Sequence, residues 1–126
     1  MKMAILVPRA ATGDVSMPSG WDALQMATMA GARGLGMADE IGSIEVGKKA
    51  DLIFLDLSRP WFRPIRMENF CSNLVYNASG ADVIDVFVDG QEIVRNREIL
   101  TVDHNEVSCV TQSRAENIWA RAEKNF

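Results

Sequence analysis

One two-residue turn constrains the fold of this chain more than any other part of its sequence. Apolar and polar residues alternate from Val83 to Val88, the dipeptide Asp89-Gly90 follows, and an apolar-rich run returns over 91–94. Asp-Gly between two such runs supplies both positive-φ positions of a type I′ turn, whose twist suits paired antiparallel strands. The sequence therefore predicts a β-hairpin over residues 83–94.

A helix over about residues 20–34 is the second firm prediction. Ser19 is a candidate N-cap with Asp22 three residues later, and apolar residues recur at helical spacing up to Gly34 or Gly36. Small residues dominate this helix, so we expect another backbone to pack closely against it. Weaker patterns predict an apolar helix in 1–10, an extended piece in 41–47, a buried strand at 52–55, a short helix in 67–76, a strand at 99–102 and an amphipathic helix from 107 to 122.

The composition is that of a globular chain without a basic surface. Its 126 residues are 48% hydrophobic and 24% charged, close to the average of folded domains. The net charge is −4 and the 13 Lys and Arg residues are scattered, so no basic stripe is available to bind phosphates. No segment approaches the ~20 apolar residues of a membrane span. We therefore expect neither nucleic acid nor a membrane as a partner.

The cysteines and the N-terminus favour a cytoplasmic protein. Cys71 and Cys109 lie far apart without a C-x-x-C pair, which favours reduced thiols, although a single bridge stays open. The apolar run at residues 3–7 is closed by Pro8-Arg9 and is too short for a signal peptide.

Three runs together resemble one enzyme family. The run GSIEVGKKADLIFLD, from Gly42 to Asp56, resembles the C-terminal signature of the amidohydrolase superfamily. The run ALQMATMAGARGLG, from Ala23 to Gly36, resembles the last barrel helix of that family. The run NLVYNASGADV, residues 73–83, narrows the resemblance to aminohydrolases that act on S-adenosylhomocysteine, 8-oxoguanine and chlorotriazines. The resemblance covers nearly the whole chain, and residues 1–4 match the interior of a family helix.

The resemblance implies a (β/α)8 barrel flanked by a β-sandwich whose strands come from both ends of the polypeptide. A barrel alone takes ~250 residues, so 126 residues cannot contain it, and we expect the chain to be truncated. The predicted fold class is α+β, with the C-terminal part of a composite β-sandwich. The predicted divisions are a barrel remnant in 1–38, a partial sandwich with the Asp-Gly hairpin in 39–103, and a C-terminal helix in 104–126.

The resemblance also implies a divalent metal, zinc or iron, held by histidines and an aspartate of the barrel. This chain has one histidine, His104, whereas a catalytic zinc site takes about three protein ligands. His104 directly precedes the final helix, where a capping or surface role is the favoured interpretation. We therefore predict no metal-binding and no cofactor-binding residue in this chain.

No catalytic residue is predicted either. The candidate general bases are Asp51, Asp56, Asp82 and Asp85. Each lies at a strand end or on an alternating strand, where a turn hydrogen bond or solvent is the usual partner. Asp51 is expected to accept backbone N–H bonds at the start of its strand. No serine lies in a G-x-S-x-G elbow, and the spacing of the glycines predicts turns rather than a phosphate-binding loop for Gly42, Gly47 and Gly90.

Two positions admit alternatives. Trp61-Phe62 is either a ligand-binding aromatic pair or a surface that packs on missing N-terminal strands, and the resemblance favours the second. Relatives commonly place glycine where this chain has Arg97. If that turn needs a positive φ, either Arg97 adopts it with strain or Asn96 takes it instead.

The leading hypothesis is that the chain is the structural C-terminal part of a metal-dependent amidohydrolase. Such an enzyme hydrolyses non-peptide C–N bonds and deaminates a cyclic amidine, purine or triazine-like ring, and we expect this chain alone to be inactive. The alternative is a stand-alone, non-catalytic oligomerisation or interaction module derived from the same domain. A sheet stripped of strands leaves an open edge, so we predict a homo-oligomer that associates through it.

Overall fold

Helices occupy both ends of the chain and a four-stranded antiparallel sheet lies between them in the computed structural model, which describes residues 1–123. The helices are α1 (Lys2–Thr12), α2 (Gly20–Gln25), α3 (Gly31–Gly34), α4 (Phe70–Asn77) and α5 (His104–Glu123). The strands are β1 (Leu52–Leu55), β2 (Val83–Val88), β3 (Gln91–Arg95) and β4 (Glu98–Ile99), in the spatial order β1-β2-β3-β4. The predicted α+β class is confirmed.

The predicted helix over residues 20–34 is present with its predicted cap. Ser19 Oγ accepts the Asp22 N–H at 3.2 Å, and Asp22 Oδ2 accepts the Ser19 N–H at 2.7 Å. This reciprocal pair satisfies two backbone donors that a helix N-terminus otherwise leaves without partners. The helix continues from α2 through a π-helical segment, Met26–Ala30, into α3, and Gly36 follows it with a φ of +72°. We call residues 20–34 the composite helix.

A small core forms where α1, the composite helix and α4 meet. It consists of buried Ile5, Ala23 and Val75, with Tyr76 packed against them. A Cβ added to Gly20 would lie 2.9 Å from Ser72 N, so the backbones of α2 and α4 are nearly in contact. The close approach expected from the small residues therefore occurs at the N-terminal end of the composite helix, and the apolar helix predicted near the N-terminus is confirmed as α1.

Two tight turns order the sheet. Asp89 and Gly90 have φ values of +51° and +77°, as the predicted hairpin between β2 and β3 requires. Asn96 and Arg97 have φ values of +48° and +70° in the turn between β3 and β4. Both residues of this second turn therefore have a left-handed backbone conformation. The sequence left open whether Asn96 or Arg97 adopts it, and in the structure both do.

Two of the strand predictions need correction. Strand β1 was predicted to be buried, but Ile53 and Phe54 are 62% and 48% exposed because no described element covers them. The strand predicted over 99–102 is shorter and displaced, since β4 spans Glu98–Ile99 and the chain bends at the next residues.

The extended piece predicted in 41–47 is instead a series of bends and a turn. The ammonium group of Lys48 holds this segment, donating to Ala38 O at 2.6 Å and to Ser43 Oγ at 2.7 Å. These side-chain contacts replace the strand ladder that the pattern suggested.

Helix α5 begins at a local cap and has no buried residue among those described. Asp103 Oδ1 accepts the N–H groups of Asn105 at 2.8 Å and Glu106 at 3.1 Å. The predicted range 104–126 ends in three residues that lie outside the described part of the chain. Neither α5 nor any other helix within residues 1–123 combines the length and apolar character needed to span a membrane.

Candidate functional site

The first candidate base, Asp51, joins the start of β1 to the hairpin turn. Its Oδ1 accepts the Asp89 N–H at 2.7 Å, and Gly90 donates its N–H to Ala50 O at 3.1 Å. These bonds confirm the expected role of Asp51 as an acceptor of backbone N–H at the strand start. They fix the hairpin turn against the segment that enters β1.

At the other end of β1, the carboxylate of Asp56 contacts one serine and two arginines. Ser58 donates both its hydroxyl and its N–H to Asp56 Oδ1, at 2.5 and 3.0 Å. Arg97 Nη2 lies 2.9 Å from Oδ2 and Arg59 Nε lies 3.4 Å from it. These bonds, those from Ser58 first, lower the pKa of Asp56 from 3.8 to about 2. A carboxylate held in its charged form is suited to structural pairing rather than to proton transfer near neutral pH.

Asp82 and Asp85 have local structural partners. Asp82 is 1% exposed, and its Oδ2 accepts the N–H of Ser79 at 2.8 Å and the hydroxyl of Ser79 at 3.0 Å. Asp85 Oδ1 accepts the Asn96 N–H at 2.9 Å. Each of the four candidate carboxylates therefore accepts a backbone N–H, as the turn interpretation predicts.

The described residues do not fit a divalent-metal site. No group of three or more His, Cys, Asp or Glu side chains within residues 1–123 is placed to hold an ion. His104 is an exposed residue in the first turn of α5, and Cys71 and Cys109 are free thiols. The positive φ values of Gly42, Gly47 and Gly90, between +77° and +96°, agree with the turn geometry predicted for these glycines.

An apolar cleft runs between the composite helix and β1. Two adjoining hollows, of about 420 and 360 Å³, share Ala27, Thr28 and Ile53 in their walls. Asp51 is the one ionisable side chain among the residues that line them. Since β1 is also an outer strand of the sheet, the cleft opens beside unpaired backbone donors and acceptors.

The surface of the chain is large for its mass. Its accessible area is 9474 Å², whereas a compact monomer of 13.9 kDa exposes about 6,700 Å². The difference, about 2,800 Å², exceeds the ~800 Å² that each partner buries in a standard protein interface. Surface of this extent is available for packing against further polypeptide.

A second distinct surface is the loop 59–66, which a row of asparagines on α4 holds in place. Asn73 Nδ2 donates to Phe62 O at 3.0 Å and to Pro64 O at 3.1 Å, and Asn77 Nδ2 donates to Trp61 O at 2.9 Å. Phe62 is buried, while Trp61 is 50% exposed with the Arg59 guanidinium 5.9 Å from its ring centre. The sequence interpretation missed this support, although the four-residue spacing of Asn69, Asn73 and Asn77 was visible.

Comparison with known proteins gives the family. Residues 1–93 match the amidohydrolase family. The chain therefore belongs to the amidohydrolase family, as its resemblance predicted.

Similar proteins include two enzymes of known name and a solved structure. A 5-methylthioadenosine/S-adenosylhomocysteine deaminase of Thermoanaerobacter pseudethanolicus is 46% identical over 79% of this chain and 23% of its own length. An S-triazine hydrolase of Gordonia rubripertincta is 42% identical over 77% of this chain and 20% of its own length. The crystal structure of an adenosine deaminase from Xanthomonas campestris with bound zinc is 33% identical, with a TM-score of 0.87, over 94% of this chain and 27% of that one. The chain thus spans about a quarter of the length of the relatives it matches.

Proposed function

We propose that this chain is the structural C-terminal part of a metal-dependent aminohydrolase and that it does not catalyse the reaction alone. The uncovered cleft beside β1 carries the proposal. The chain spans about a quarter of the length of its relatives, so we assign the segments that cover this cleft to the remaining polypeptide of the enzyme. In the proposed enzyme, further strands complete the sheet as a composite sandwich, and residues 1–38 pack as part of a (β/α)8 barrel. The role of the chain is then to bury apolar surface and to hold the catalytic part in shape.

The relatives suggest the chemistry of the whole enzyme. They are named for deamination of purine nucleosides and for hydrolysis of a triazine, so we propose hydrolytic removal of a substituent from a nitrogen-rich ring. The bound zinc of the Xanthomonas structure supports zinc over iron as the metal. Because the chain has one histidine and a catalytic zinc site takes about three protein ligands, we assign the metal ligands to polypeptide outside these 126 residues.

An assay of the isolated chain tests the proposed inactivity. The purified chain is treated with a chelator, supplied with zinc or iron(II), and assayed for metal content and for turnover of S-adenosylhomocysteine and a chlorotriazine. The complete Thermoanaerobacter deaminase serves as the positive control. We expect neither stoichiometric tight metal nor turnover from the isolated chain, and finding both would overturn the proposal.

A chimera tests the structural role directly. The matching 100-residue region of the Thermoanaerobacter deaminase is replaced by the corresponding part of this chain. We expect the chimera to bind zinc and to deaminate S-adenosylhomocysteine at a rate within about tenfold of the parent, a barrier change of ~1.4 kcal/mol. A folded, zinc-loaded chimera without activity would show that the chain does not provide an equivalent framework.

The alternative function is a stand-alone association module, and the large accessible surface favours it as a second candidate. Association through the open edge of β1 stays a prediction of the sequence. We also propose a cytoplasmic location, since free thiols are typical of a reducing compartment.

A further inference from the structure

The loop 59–66, which we call the basic-aromatic loop, has the composition of a protein-binding hot spot. Arginines and tryptophan, which it combines, contribute a large share of the binding energy in protein interfaces. Arg59, Arg63 and Arg66 lie within eight residues that contain no acidic side chain. Arg59 is engaged by Asp56, whereas neither Arg63 nor Arg66 forms an ion pair within residues 1–123.

Contacts within the chain hold the loop in place. The side chain of Phe62 is buried, and the side-chain amides of Asn73 and Asn77 donate hydrogen bonds to three carbonyl oxygens of the loop. A side chain on a fixed backbone loses less conformational entropy when it becomes immobilised in an interface. The exposed indole of Trp61 is therefore presented in a preorganised position.

A complementary surface lies at the start of α5. A hollow of about 540 Å³ opens there, and we call it the α5 crook. Its apolar lining includes Val102, Val107 and Val110, each between 42% and 52% exposed. Asp103 and Glu106 supply negative charge beside these valines, while Arg114 lies among the lining residues further along α5. The crook can receive an aromatic group flanked by positive charge.

We propose that the basic-aromatic loop of one copy of this chain docks in the α5 crook of a second copy. Trp61 packs against the valines and Arg63 pairs with Glu106 of the other copy. Both halves of the contact are present in the same chain, and the proposed arrangement is the two-fold one, in which each copy supplies both halves and the contact is made twice. The exposed half of the Trp61 side chain is what each contact can bury, and two such aromatic anchors form the centre of the proposed interface.

Charge favours this contact over pairing of two β1 edges. In the register centred between Ile53 and Phe54, an antiparallel β1 pair places Asp51 opposite Asp56 of the second copy, a carboxylate that also contacts Arg97 and Arg59 of its own chain. Like charges in that position destabilise a strand pair. A nucleic acid is a poorer occupant of the loop than the crook is, because the chain carries a net charge of −4.

Sedimentation velocity of the full chain at micromolar concentration, over a range of salt concentrations, tests the proposal. We expect a dimer that salt weakens, with a Kd raised about tenfold or more by W61A, R63E or E106R. The matched control is R33E, which reverses an exposed arginine of α3 outside both surfaces. Circular dichroism establishes that each variant is folded.

Mixing two variants gives the decisive result. R63E and E106R each weaken self-association, but an equimolar mixture should recover a heterodimer, because one of its two contacts keeps the native Arg63–Glu106 pair and the other has the same pair with its charges exchanged. A wild-type monomer at this concentration would overturn the proposal, as would a dimer insensitive to W61A and R63E, which would assign association to the β1 edge. Failure of the mixture to associate would also overturn it. The result is independent of the catalytic proposal, since it concerns the isolated chain.

Discussion

Arg97 Nη2 lies 2.9 Å from Asp56 Oδ2 while the backbone of Arg97 holds a φ of +70°. The same side chain donates its Nε–H to Ala81 O at 3.2 Å. A left-handed backbone is unfavourable for a residue with a Cβ, by about 1–3 kcal/mol at a single position. The contacts of the guanidinium with Asp56, directly after β1, and with Ala81, before β2, offset part of that cost.

Substitutions at Arg97 should separate backbone strain from side-chain contact. R97A keeps the left-handed strain and loses the contacts, whereas R97G loses both. We expect R97G to be more stable than R97A by about 1 kcal/mol, measured by urea unfolding. Glu98 lies in regular β4 and is the control, because there the alanine variant should be more stable than the glycine variant. Equal stability of R97G and R97A would contradict the strain.

The stability contributed by Asp56 should depend on pH. Its folded-state pKa is about 2 against an ordinary value of 3.8, and the bonds from Ser58 are the largest cause. A group with a lowered pKa stabilises the fold above its unfolded pKa and loses that contribution as the pH falls through its folded pKa. We therefore expect S58A to be less stable than wild type at pH 7, and the difference to shrink as the pH falls from 3.8 to about 2. S113A, at an exposed position of α5, should show a pH-independent difference.

Replacing Asn73 with alanine should lower the free energy of unfolding more than the same change at an exposed asparagine that makes a similar hydrogen bond. N73A removes the donor for Phe62 O and Pro64 O, and we expect a loss of about 1–2 kcal/mol in unfolding free energy. N117A removes one exposed bond to Ser113 O within α5, and alanine is a good helix former, so its effect should lie within about 0.5 kcal/mol. Equal effects in a urea titration would show that the asparagine row does not support the loop.

Two glycines with similar backbones should respond differently to alanine. Gly42 and Gly47 have φ values of +94° and +96°, but a Cβ at Gly42 would lie 2.7 Å from Ala32 Cβ, whereas one at Gly47 meets nothing within 4 Å. Both variants carry the left-handed cost, and G42A adds an overpacking cost of about 1–3 kcal/mol. The Tm of G47A, measured by thermal unfolding, should therefore be higher than that of G42A. The double variant G42A/A32G should recover part of the difference.

The elements predicted correctly are those that short-range contacts determine. The Ser19–Asp22 cap and the Asp89-Gly90 turn each depend on residues within four positions of one another, so their side chains suffice to identify them. The interaction of Asp51 with Asp89 could also be anticipated in kind, because an aspartate at a strand start commonly accepts backbone N–H bonds.

The features that the sequence did not reveal depend on distant segments or on their absence. An apolar run such as Ile53–Phe54 predicts a strand, but burial depends on which other segment covers it, and none does so within the described chain. Strand β4 is short because the chain bends after Ile99 towards the Asp103 cap of α5. The π-helical segment at 26–30 has no pattern of its own in the alanine-rich run. The proposed association between the basic-aromatic loop and the α5 crook could not be inferred from the sequence, because it depends on surfaces that only the folded chain defines.

The pairing of β1 with β2 also determines the order in which the sheet can form. Strands β2 and β3 are joined by two residues and can pair within about 1–10 μs, whereas β1 is separated from β2 by residues 56–82, and closing so long a loop costs more entropy. The hairpin can therefore precede β1, which pairs with β2 only once the 56–82 segment has closed. We predict that the contacts that fasten β1 at its ends, from Asp51 to the hairpin turn and from Asp56 to Arg97, form late in folding, after the rate-limiting barrier. Their loss should accelerate unfolding and leave the folding rate nearly unchanged.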